Sequence, residues 1–519
     1  MKKKGQGATY ILILACILLS KVLGLARGVL LSAFYGTGME AEVFQAVSKL
    51  PLMLYDVTLG TAIASAFIPV FNERLTKDGK AAAERFAGNF MTLAGAFSAL
   101  VCVLGMVFPR VFVNIVASGF EGEKLTLALE MMRYILPVVL FATVTYILIG
   151  ILQSYEEFTA PSLVSLFTNL ALIFYFLVLN RRYGIKGLAV AFTVGWGLQF
   201  VFLLPFIIKK KFRYHFSLSL SGDMKRVLLL TPPLFISSLA QPINTIISTK
   251  MSSELDEGAL SVLSYAYDAY FILAAVFASA MTNLYFPELS RRFAAGDRNG
   301  AAEIGGKMIK TVSAIVLPIT AFMMTCGTPI IRILYQRGKF TAEDTTAVAG
   351  CLAVYSIAML AFSLQEILNK FFYSMQKTIY PMIAAVGGIL LNFGLSVWFV
   401  NAYGDYRLLT WATVVSGWFM ALLLLLFVRG KVPQLMNKKL FLSLGKTLLG
   451  SLALGVVAYF IRRFLDGEGM VRSILCAVTA LVGGALAYFA VLWLTRSEEL
   501  GEILSMRKKK KEGPPCDKE

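Results

Sequence analysis

The sequence predicts an all-α integral membrane protein with about fourteen transmembrane helices. Of its 519 residues, 57% are hydrophobic and only 15% are charged, and the mean hydropathy is +0.71. A typical soluble protein contains about 25% charged residues. Mainly apolar stretches of about 20 residues, the length that crosses a bilayer, recur along the chain. Short loops rich in lysine and arginine separate many of these stretches.

The first predicted span follows the basic start MKKKG and runs well past signal-peptide length, so we expect a retained first helix. The second span is long for a single crossing and carries charge. The stretch PRVFVNIVASGF at 109–120 is short enough for an interfacial helix. The predicted spans lie near residues 8–35, 43–71, 84–108, 126–152, 160–180, 185–208, 227–250, 258–286, 305–330, 345–373, 379–401, 406–428, 441–464 and 472–495.

Loop charge predicts that both termini lie in the cytoplasm, because cytoplasmic loops of membrane proteins carry the excess of lysine and arginine. The loops NERLTKDGKAAAERF, KKKFRYHF, SRRFAAGDRNG and VRGKVPQLMNKK, and the tail MRKKKKEG, then lie inside. The acidic loops GTGMEAE and SELDEG lie outside. NRRYGIKG and LYQRGKF are basic loops that also fall outside in this arrangement.

A weak internal repeat relates the two halves of the chain. SAFIPVFNERL resembles NLYFPELSRRF, and residues 140–161 resemble 360–381. The offset of roughly 220 residues spans about six helices, which predicts a parallel repeat related by an axis along the membrane normal. The predicted domains are an N-terminal six-helix lobe (1–220), a C-terminal six-helix lobe (221–435), an extra helix pair (436–496) and a basic cytoplasmic tail (497–519).

Several charged side chains lie inside segments that otherwise read as membrane-spanning. A charge at the bilayer centre costs about 2.5–3.5 kcal/mol on insertion scales, so such residues are expected to face a bundle interior or a wet cavity. Charges on several separate helices indicate a polar central cavity, which is typical of a transporter. These residues are Lys21, Arg27, Lys49, Asp56, Asp268, Glu366 and Lys370.

Other classes of function find no support in the sequence. The net charge of +18 comes from loops and termini, and no nucleic-acid-binding motif is present. His215 is the only histidine, and the six cysteines are scattered, so we expect no metal site and no cofactor. The sequence contains neither a P-loop nor a Rossmann glycine motif. Short loops also argue against a membrane glycosyltransferase, and we expect the chain not to be an enzyme.

Several strings narrow the transporter class to one family. SKVLGLARG is similar to the family pattern S-R-x-L-G-x-x-R-D, KLPLMLYDVTLGTAIASAFIPVFNE to a segment that begins K-L-P-N and ends A-F-V-P, and GILQSYEEFTAPSL to G-x-L-Q-x-x-x-x-F-x-x-P. LYQRGKFTAEDT and FFYSMQKTIYPM follow in the family's order, within residues 8–430. On these strings the chain resembles the MurJ (MviN) family of lipid II flippases, in the multidrug/oligosaccharidyl-lipid/polysaccharide exporter superfamily.

The resemblance implies a secondary transporter that moves undecaprenyl-pyrophosphate-linked peptidoglycan precursor across the bacterial cytoplasmic membrane by alternating access. A cationic cavity would suit the pyrophosphate, because arginine binds phosphate in a bidentate fashion. The implied partners are this lipid-linked precursor, membrane lipids and cell wall synthesis enzymes. We expect coupling to the membrane potential, H⁺ or Na⁺, since the potential acts on cavity charge.

The resemblance also assigns positions in the cavity. Arg27 matches the family's second arginine in the first helix, and Lys21 stands where the first arginine is usual. Glu42 lies where the family often has aspartate. Tyr55 lies where some members have a cavity arginine, and Asp268 where an arginine often stands in the eighth helix. These departures leave open a related lipid-linked sugar as the cargo.

The predicted substrate-binding set is completed by Lys49, Asp56, Glu366 and Lys370, and each has an alternative structural interpretation. Arg27 could pair with Asp56, and Lys21 could extend its amine to the interface. Asp56 and Asp268 could bridge to cavity cations or carry a coupling ion. Glu366 and Lys370 have the spacing of an ion pair along one helix. Lys49 could likewise be a structural residue.

Arg337, Lys339 and Asp344 lie in a predicted external loop, where gating or loop structure is the favoured role and substrate binding the alternative. Two further functions of the whole chain stay open at this point: a flippase for another lipid-linked oligosaccharide, or a cation-coupled multidrug exporter, which the acidic residues would suit. A non-transporting scaffold for wall-synthesis enzymes would not need charges inside the membrane.

Overall fold

The computed structural model describes residues 4–55, 63, 67–219, 222–225 and 240–497. In these ranges every regular element is a helix, which confirms the predicted all-α class. The chain divides into a first unit (residues 1–264, 337–341 and 393–409) and a second unit (265–336, 342–392 and 410–519). The lobe boundaries predicted from the sequence stay a prediction, and the tail from 498 lies outside the described residues.

The first unit contains the helices that precede residue 264. Pro109–Val116 is a short helix at the position where the sequence allowed an interfacial one. Lys4–Tyr35 and Lys80–Val107 lie close to predicted spans, whereas the predicted span 43–71 is helical at Met39–Tyr55 and again from Ile68. The helices are α1 (Lys4–Tyr35), α2 (Met39–Tyr55), α3 (Ile68–Lys77), α4 (Lys80–Val107), α5 (Pro109–Val116), α6 (Gly122–Ile135), α7 (Val138–Ser154), α8 (Thr159–Phe174), α9 (Asn180–Lys209) and α10 (Ala240–Ser253).

The second unit is built from longer helices. The first turns of α11 belong to the first unit, as do the end of α14 and the start of α15. The helices are α11 (Ala259–Ala294), α12 (Arg298–Tyr335), α13 (Ala342–Ser374), α14 (Ile379–Tyr403), α15 (Arg407–Lys431), α16 (Lys438–Leu465) and α17 (Met470–Leu494).

Nine helical segments of the described chain are long and apolar enough to cross a membrane, so the predicted total of about fourteen is not confirmed. One of these segments, Thr159–Lys209, has 51 residues. At 1.5 Å per residue a straight helix of that length would measure about 76 Å, more than twice the hydrocarbon thickness. Gly184, at φ 57°, interrupts it, and the Tyr175 hydroxyl donates to the Gly184 carbonyl at 2.6 Å. Two crossings therefore fit this segment.

Pro137 divides the predicted span 126–152 into α6 and α7. Proline has no N–H and its ring clashes with the preceding turn, so the helix restarts at Val138. The Phe141 N–H then donates to the Pro137 carbonyl at 3.2 Å. The polar groups released by the bend are thus satisfied locally, as the membrane interior requires.

The internal repeat appears in the way α7 and α13 end. Glu156 follows α7 at φ 59°, and Gln376 follows α13 at φ 57°, roughly 220 positions later. The next N–H groups, those of Glu157 and Lys377, each donate to the carbonyl five residues earlier, at 2.9 and 3.0 Å. This is the six-to-one hydrogen bond of the Schellman motif, with the left-handed residue before it. Both halves therefore end the corresponding helix in the same geometry.

Two arginines tie the extra C-terminal helix pair, α16 and α17, to α12. Arg332 donates through Nη1 to Asp466 Oδ1 at 2.8 Å and to the Gly467 carbonyl at 3.0 Å. Arg462 donates to the Thr325 carbonyl at 2.7 Å. The pair is thus part of the second unit and packs on α12 through charge-assisted hydrogen bonds.

Candidate functional site

The basic residues of α1 lie on a helix that is held against α8 by polar contacts. Ser20 Oγ lies 2.5 Å from Ser165 Oγ, and Asn169 Nδ2 donates to the Ser20 carbonyl at 3.1 Å. Lys21 is exposed and Arg27 is half-buried. A helix turns about 100° per residue, so these two side chains leave α1 about 120° apart. The structure therefore places Lys21 and Arg27 on different faces of one helix.

Glu42 and Lys49 lie two turns apart on the same face of α2, and both contact the start of α11. Glu42 Oε1 accepts a hydrogen bond of 3.0 Å from the Leu260 N–H. Lys49 Nζ donates to Ser264 Oγ at 2.7 Å. Leu260 and Ser264 are themselves one turn apart. The two predicted site residues therefore join α2 to the first turns of α11.

Glu42 is the buried centre of this arrangement, with 1% of its surface exposed. Its carboxylate forms an ion pair with Lys124, at the start of α6, and Lys124 Nζ lies 4.6 Å from the centroid of the Phe120 ring. A carboxylate at the N-terminus of α11 also complements the positive end of the helix dipole. Removing either charge would leave the other buried without its partner.

Residues 337–341 pack against the end of α1 within the first unit. The Lys339 N–H donates to the Ala33 carbonyl at 2.9 Å, and its Nζ lies 4.0 Å from the Glu40 carboxylate and 5.8 Å from the centroid of Tyr35. Gly338 has φ 61°, and a Cβ there would lie 2.1 Å from the Ala33 oxygen. Only glycine fits this close approach. We call Ala33, Glu40, Gly338 and Lys339 the loop contact.

The predicted gating residues have separate positions. Arg337 begins the 337–341 segment and is half-buried, in the first unit. Asp344 is half-buried in the first turn of α13, in the second unit. Of the three predicted residues, Lys339 alone is a member of the loop contact. Their roles in gating stay predictions.

Asp268 is an exposed residue of α11 that lies in a tyrosine-rich part of the second unit. The Tyr265 and Tyr335 ring centroids are 5.0 Å apart, and those of Tyr267 and Tyr270 are 5.1 Å apart. Packed tyrosines of this kind bury apolar area and leave hydroxyl groups for hydrogen bonds. Whether Asp268 binds substrate or a coupling ion stays a prediction.

The spacing of Glu366 and Lys370 does give an ion pair. Lys370 Nζ lies 3.7 Å from Glu366 Oε1 on α13, and both side chains are partly exposed. The same ammonium lies 5.7 Å from the centroid of Phe286 and 6.0 Å from that of Tyr373, within cation–π distance. Contact with substrate stays a prediction for both residues.

Tyr55 ends α2, and its side chain and Asp56 lie outside the described residues.

The described ranges bring no three histidine, cysteine or carboxylate side chains together as a metal site would require. A charged group with hydrogen-bonded partners lies outside the spans, at the start of α12. Asp297 accepts from the Gly300 N–H at 2.8 Å and from Arg292 Nη1 at 2.7 Å. The Gly300 hydrogen bond, with help from Arg292, holds the pKa of the Asp297 carboxyl below its ordinary value.

A family model described as "Lipid II flippase MurJ" matches residues 31–480, most of the chain. The chain belongs to the lipid II flippase MurJ family. Two of the family strings noted in the sequence make contacts in the first unit. KLP, at 49–51, begins with the lysine that binds Ser264, and RGKFT, at 337–341, contains Gly338 and Lys339 of the loop contact. Two motifs that are far apart in the sequence thus both hold the α1–α2 region of the first unit.

Curated relatives align with this chain along nearly their whole length. A "Probable lipid II flippase MurJ" of Rhizobium tropici is 28% identical over 96% of this chain and 96% of the relative. A "Lipid II flippase MurJ" of Burkholderia cenocepacia is 27% identical over 92% of this chain and 95% of the relative.

Solved structures establish the fold. The structure titled "Lipid II flippase MurJ, inward closed conformation" has a TM-score of 0.80 at 23% identity, covering 94% of this chain and 99% of that one. An inward-facing MATE multidrug transporter of the MOP superfamily has a TM-score of 0.65 at 15% identity, covering 82% and 99%. Both likenesses concern the helical fold.

Sequence reasoning missed Lys124 and Ser264, the partners of Glu42 and Lys49. Lys124 carried a weak signal, because it is the one lysine in the mainly apolar stretch KLTLALEMM, which also contains Glu130. Ser264 carried none, since a serine in a membrane helix is common. Helix packing brings together Glu42 and Lys124, which are 82 positions apart in the sequence, and Lys49 and Ser264, which are 215 apart.

Proposed function

We propose that this chain is a flippase that moves undecaprenyl-pyrophosphate-linked peptidoglycan precursor, lipid II, from the inner to the outer leaflet for cell wall synthesis. The observation that carries the proposal is the family match over residues 31–480, together with relatives named as lipid II flippases that align along nearly their whole length. The proposed mechanism is alternating access, without chemical change of the cargo, so the chain acts as a transporter and not as an enzyme.

The basic residues on α1 support an anionic cargo. Arg27 offers a planar guanidinium that suits a pyrophosphate, and Lys21 adds a compact ammonium. Because the two leave α1 on different faces, we propose that Arg27 contacts the pyrophosphate and that Lys21 acts at a separate step of entry. Membrane lipids surround the protein, and a complex with wall-synthesis enzymes is part of the same proposal.

We propose a bacterial cytoplasmic membrane location with both termini in the cytoplasm. The support is the basic composition of the connections on that side, among them the end of α11 with Arg291 and Arg292 and the start of α12 with Arg298. Coupling to the membrane potential, H⁺ or Na⁺ is also proposed, since each elementary charge moved through 100 mV gains about 2.3 kcal/mol. Collapse of the potential should slow flipping in proteoliposomes, and unchanged flipping would remove the potential from the mechanism.

The other functions considered from the sequence are less well supported. A multidrug exporter shares the fold, but the MATE structure is only 15% identical, so it informs the fold alone. A flippase for another lipid-linked oligosaccharide would require a different cargo from that named for the relatives. Neither alternative has an observation in the described structure that favours it.

The test is complementation of bacteria depleted of their own lipid II flippase. The unmodified chain should restore growth, and Arg27→Ala should not, at equal membrane levels. Arg27→Lys should rescue partly, because it keeps the charge and loses the planar fork. Arg110→Ala, an exposed residue of α5, is the matched control and should rescue fully. Failure of the unmodified chain at normal abundance would contradict lipid II as the cargo.

A further inference from the structure

A polar cleft of about 850 Å³ lies in the second unit where several helices end. The ends of α11, α13 and α15 and the start of α12 form its walls. Its volume exceeds what a phosphate group and its immediate substituents need. The residues that matter here are Ser290, Arg298, Tyr373, Ser374, Lys377 and Lys431.

Three cations border this cleft, one from each of three separate segments: Arg298, Lys377 and Lys431. All three are exposed. Within the described part of the chain, none of them forms an ion pair with a carboxylate. The nearby carboxylate of Asp297 is already bound by Arg292 at 2.7 Å. The cleft therefore carries positive charge that the protein's own described acids do not neutralise.

The lining of the cleft also offers hydroxyl groups. Ser290 Oγ lies 3.1 Å from Ser374 Oγ, and Ser374 Oγ also donates to the Lys370 carbonyl at 2.9 Å. With the Ser374 proton used in this way, the Ser290 hydroxyl donates to Ser374. Tyr373 lines the same wall. Hydroxyl groups beside lysine and arginine are the usual partners of phosphate oxygens.

The corresponding region of the first unit is built differently, although α7 and α13 end in the same geometry. Glu157 occupies the position of Lys377. The lysine amines there are also used internally. Lys210 Nζ donates to the Tyr155 carbonyl at 3.0 Å, and Lys80 Nζ donates to the Lys210 carbonyl at 2.8 Å. Lys431 Nζ, by contrast, lies 5.6 Å from the centroid of the Tyr380 ring, a contact that leaves its charge without a carboxylate among the described residues. The cations at this helix end are therefore not a general consequence of the repeat.

The cleft also borders a surface suited to lipid tails. Two residues beyond Lys377, Ile379 is 50% exposed at the start of α14, and Ile383 is 44% exposed one turn later. Leu426, near the end of α15, is also exposed. A change from exposed apolar to exposed basic side chains along the same helices marks the level of the lipid headgroups.

We propose that this cleft binds the phosphate of an acidic membrane phospholipid, whose acyl chains lie along the exposed apolar faces of α14 and α15. The chemistry recognised is a phosphate held by Arg298, Lys377 and Lys431. Such a site goes beyond the proposed transport of lipid II, because it takes a lipid of the surrounding membrane and is separate from α1. A bound lipid here would join the ends of α11, α13 and α15.

The test uses the full chain in a neutral detergent and measures lipid binding without lipid II. Short-chain phosphatidylglycerol is titrated calorimetrically, with short-chain phosphatidylcholine and inorganic pyrophosphate as separate arms. Each basic residue near a phosphate contributes about 1 kcal/mol, which corresponds to roughly fivefold in affinity. Lys377→Gln should therefore weaken phosphatidylglycerol binding about fivefold, Lys377→Glu more, and Lys377→Arg little.

A charge-matched control separates the cleft from general surface charge. Arg298→Gln/Lys377→Gln/Lys431→Gln should abolish saturable phosphatidylglycerol binding. Arg429→Gln/Lys438→Gln/Lys439→Gln removes the same charge from exposed residues outside the cleft and should leave binding intact. Equal losses in both triple variants, or no loss in the first, would overturn the proposal. If pyrophosphate binds and phosphatidylglycerol does not, the ligand of the cleft is a free phosphate compound, and the lipid proposal is wrong. Because no cargo is present, these outcomes are independent of the flippase assay.

Discussion

Lys49 of α2 donates a hydrogen bond of 2.7 Å to the hydroxyl of Ser264, in the second turn of α11. One turn earlier on α11, the Leu260 N–H donates to Glu42 of the same α2 face. The lysine that begins the family's K-L-P string is therefore a helix-joining residue. Within the first unit, this contact joins α2 to the first turns of α11.

Loss of the Lys49 contact should weaken the first unit. Lys49→Met and Ser264→Ala should each lower the free energy of unfolding by about 1.5–3 kcal/mol, the value of a hydrogen bond to a charged group. The double variant should be about as stable as the less stable of the two single variants, because each single substitution already removes the same interaction. Thermal unfolding in detergent measures this, and fully additive losses would contradict the contact.

Glu42 should matter through the charge it pairs with. Glu42→Gln leaves the Lys124 ammonium partly buried without a counter-ion, so we expect a loss of about 3–5 kcal/mol in stability. Glu42→Gln/Lys124→Met should recover part of that loss, because neither charge then remains. Glu123→Gln, an exposed acid in the first turn of α6, is the control and should change little. A loss in the control as large as in Glu42→Gln would argue for a general charge effect.

A side chain at Gly338 should destabilise the protein for two reasons, the positive φ and the close approach of the Ala33 oxygen. Gly404 has the first of these and not the second, so it serves as the control. Gly338 and Gly404 have φ of 61° and 64°, so alanine at either position incurs the left-handed backbone penalty of about 1–2 kcal/mol. Only at Gly338 would the new Cβ meet the Ala33 oxygen, whereas Gly404 has open space. Gly338→Ala should therefore be clearly less stable than Gly404→Ala in thermal unfolding. Equal shifts of the two midpoints would mean that the loop contact carries no steric constraint.

Asp297 should make stability depend on acid pH. Its pKa is lowered in the folded state, so its charge stabilises the fold above the unfolded-state pKa of about 4. That contribution is lost as pH falls through the lower folded-state pKa. The unfolding midpoints of the unmodified chain and Asp297→Asn should differ near neutral pH and converge in acid. A difference that stays constant over this range would show that hydrogen bonding, and not charge, is the cause.

Much of the fold follows from local sequence. A stretch of about 20 apolar residues must satisfy its own backbone in lipid, and a helix is the way to do so. The short helix Pro109–Val116 and the ends of α14 to α17 lie close to the predicted positions for this reason. The break at Pro137 does not follow from the residue alone, because membrane helices tolerate proline where the freed backbone groups are satisfied locally.

The candidate site was predictable as a set of residues and not as an arrangement. An intramembrane charge signals that a partner or cavity exists, since lipid penalises it, and this singled out Lys49, Glu366 and Lys370. The pair Glu366–Lys370 could be predicted because both residues belong to one helix turn. The partners of Lys49 and Glu42 could not, because they lie on other helices.

The sequence by itself determined the helical membrane class, the approximate spans, the repeat and the family, because all four depend on local composition and the order of short strings. Tertiary structure alone decided that Glu42 meets Lys124 and Leu260, and that three cations border one cleft. The physical reason is that contacts between helices depend on the rotation and depth at which each helix packs. Side chains from the whole unit set those quantities together.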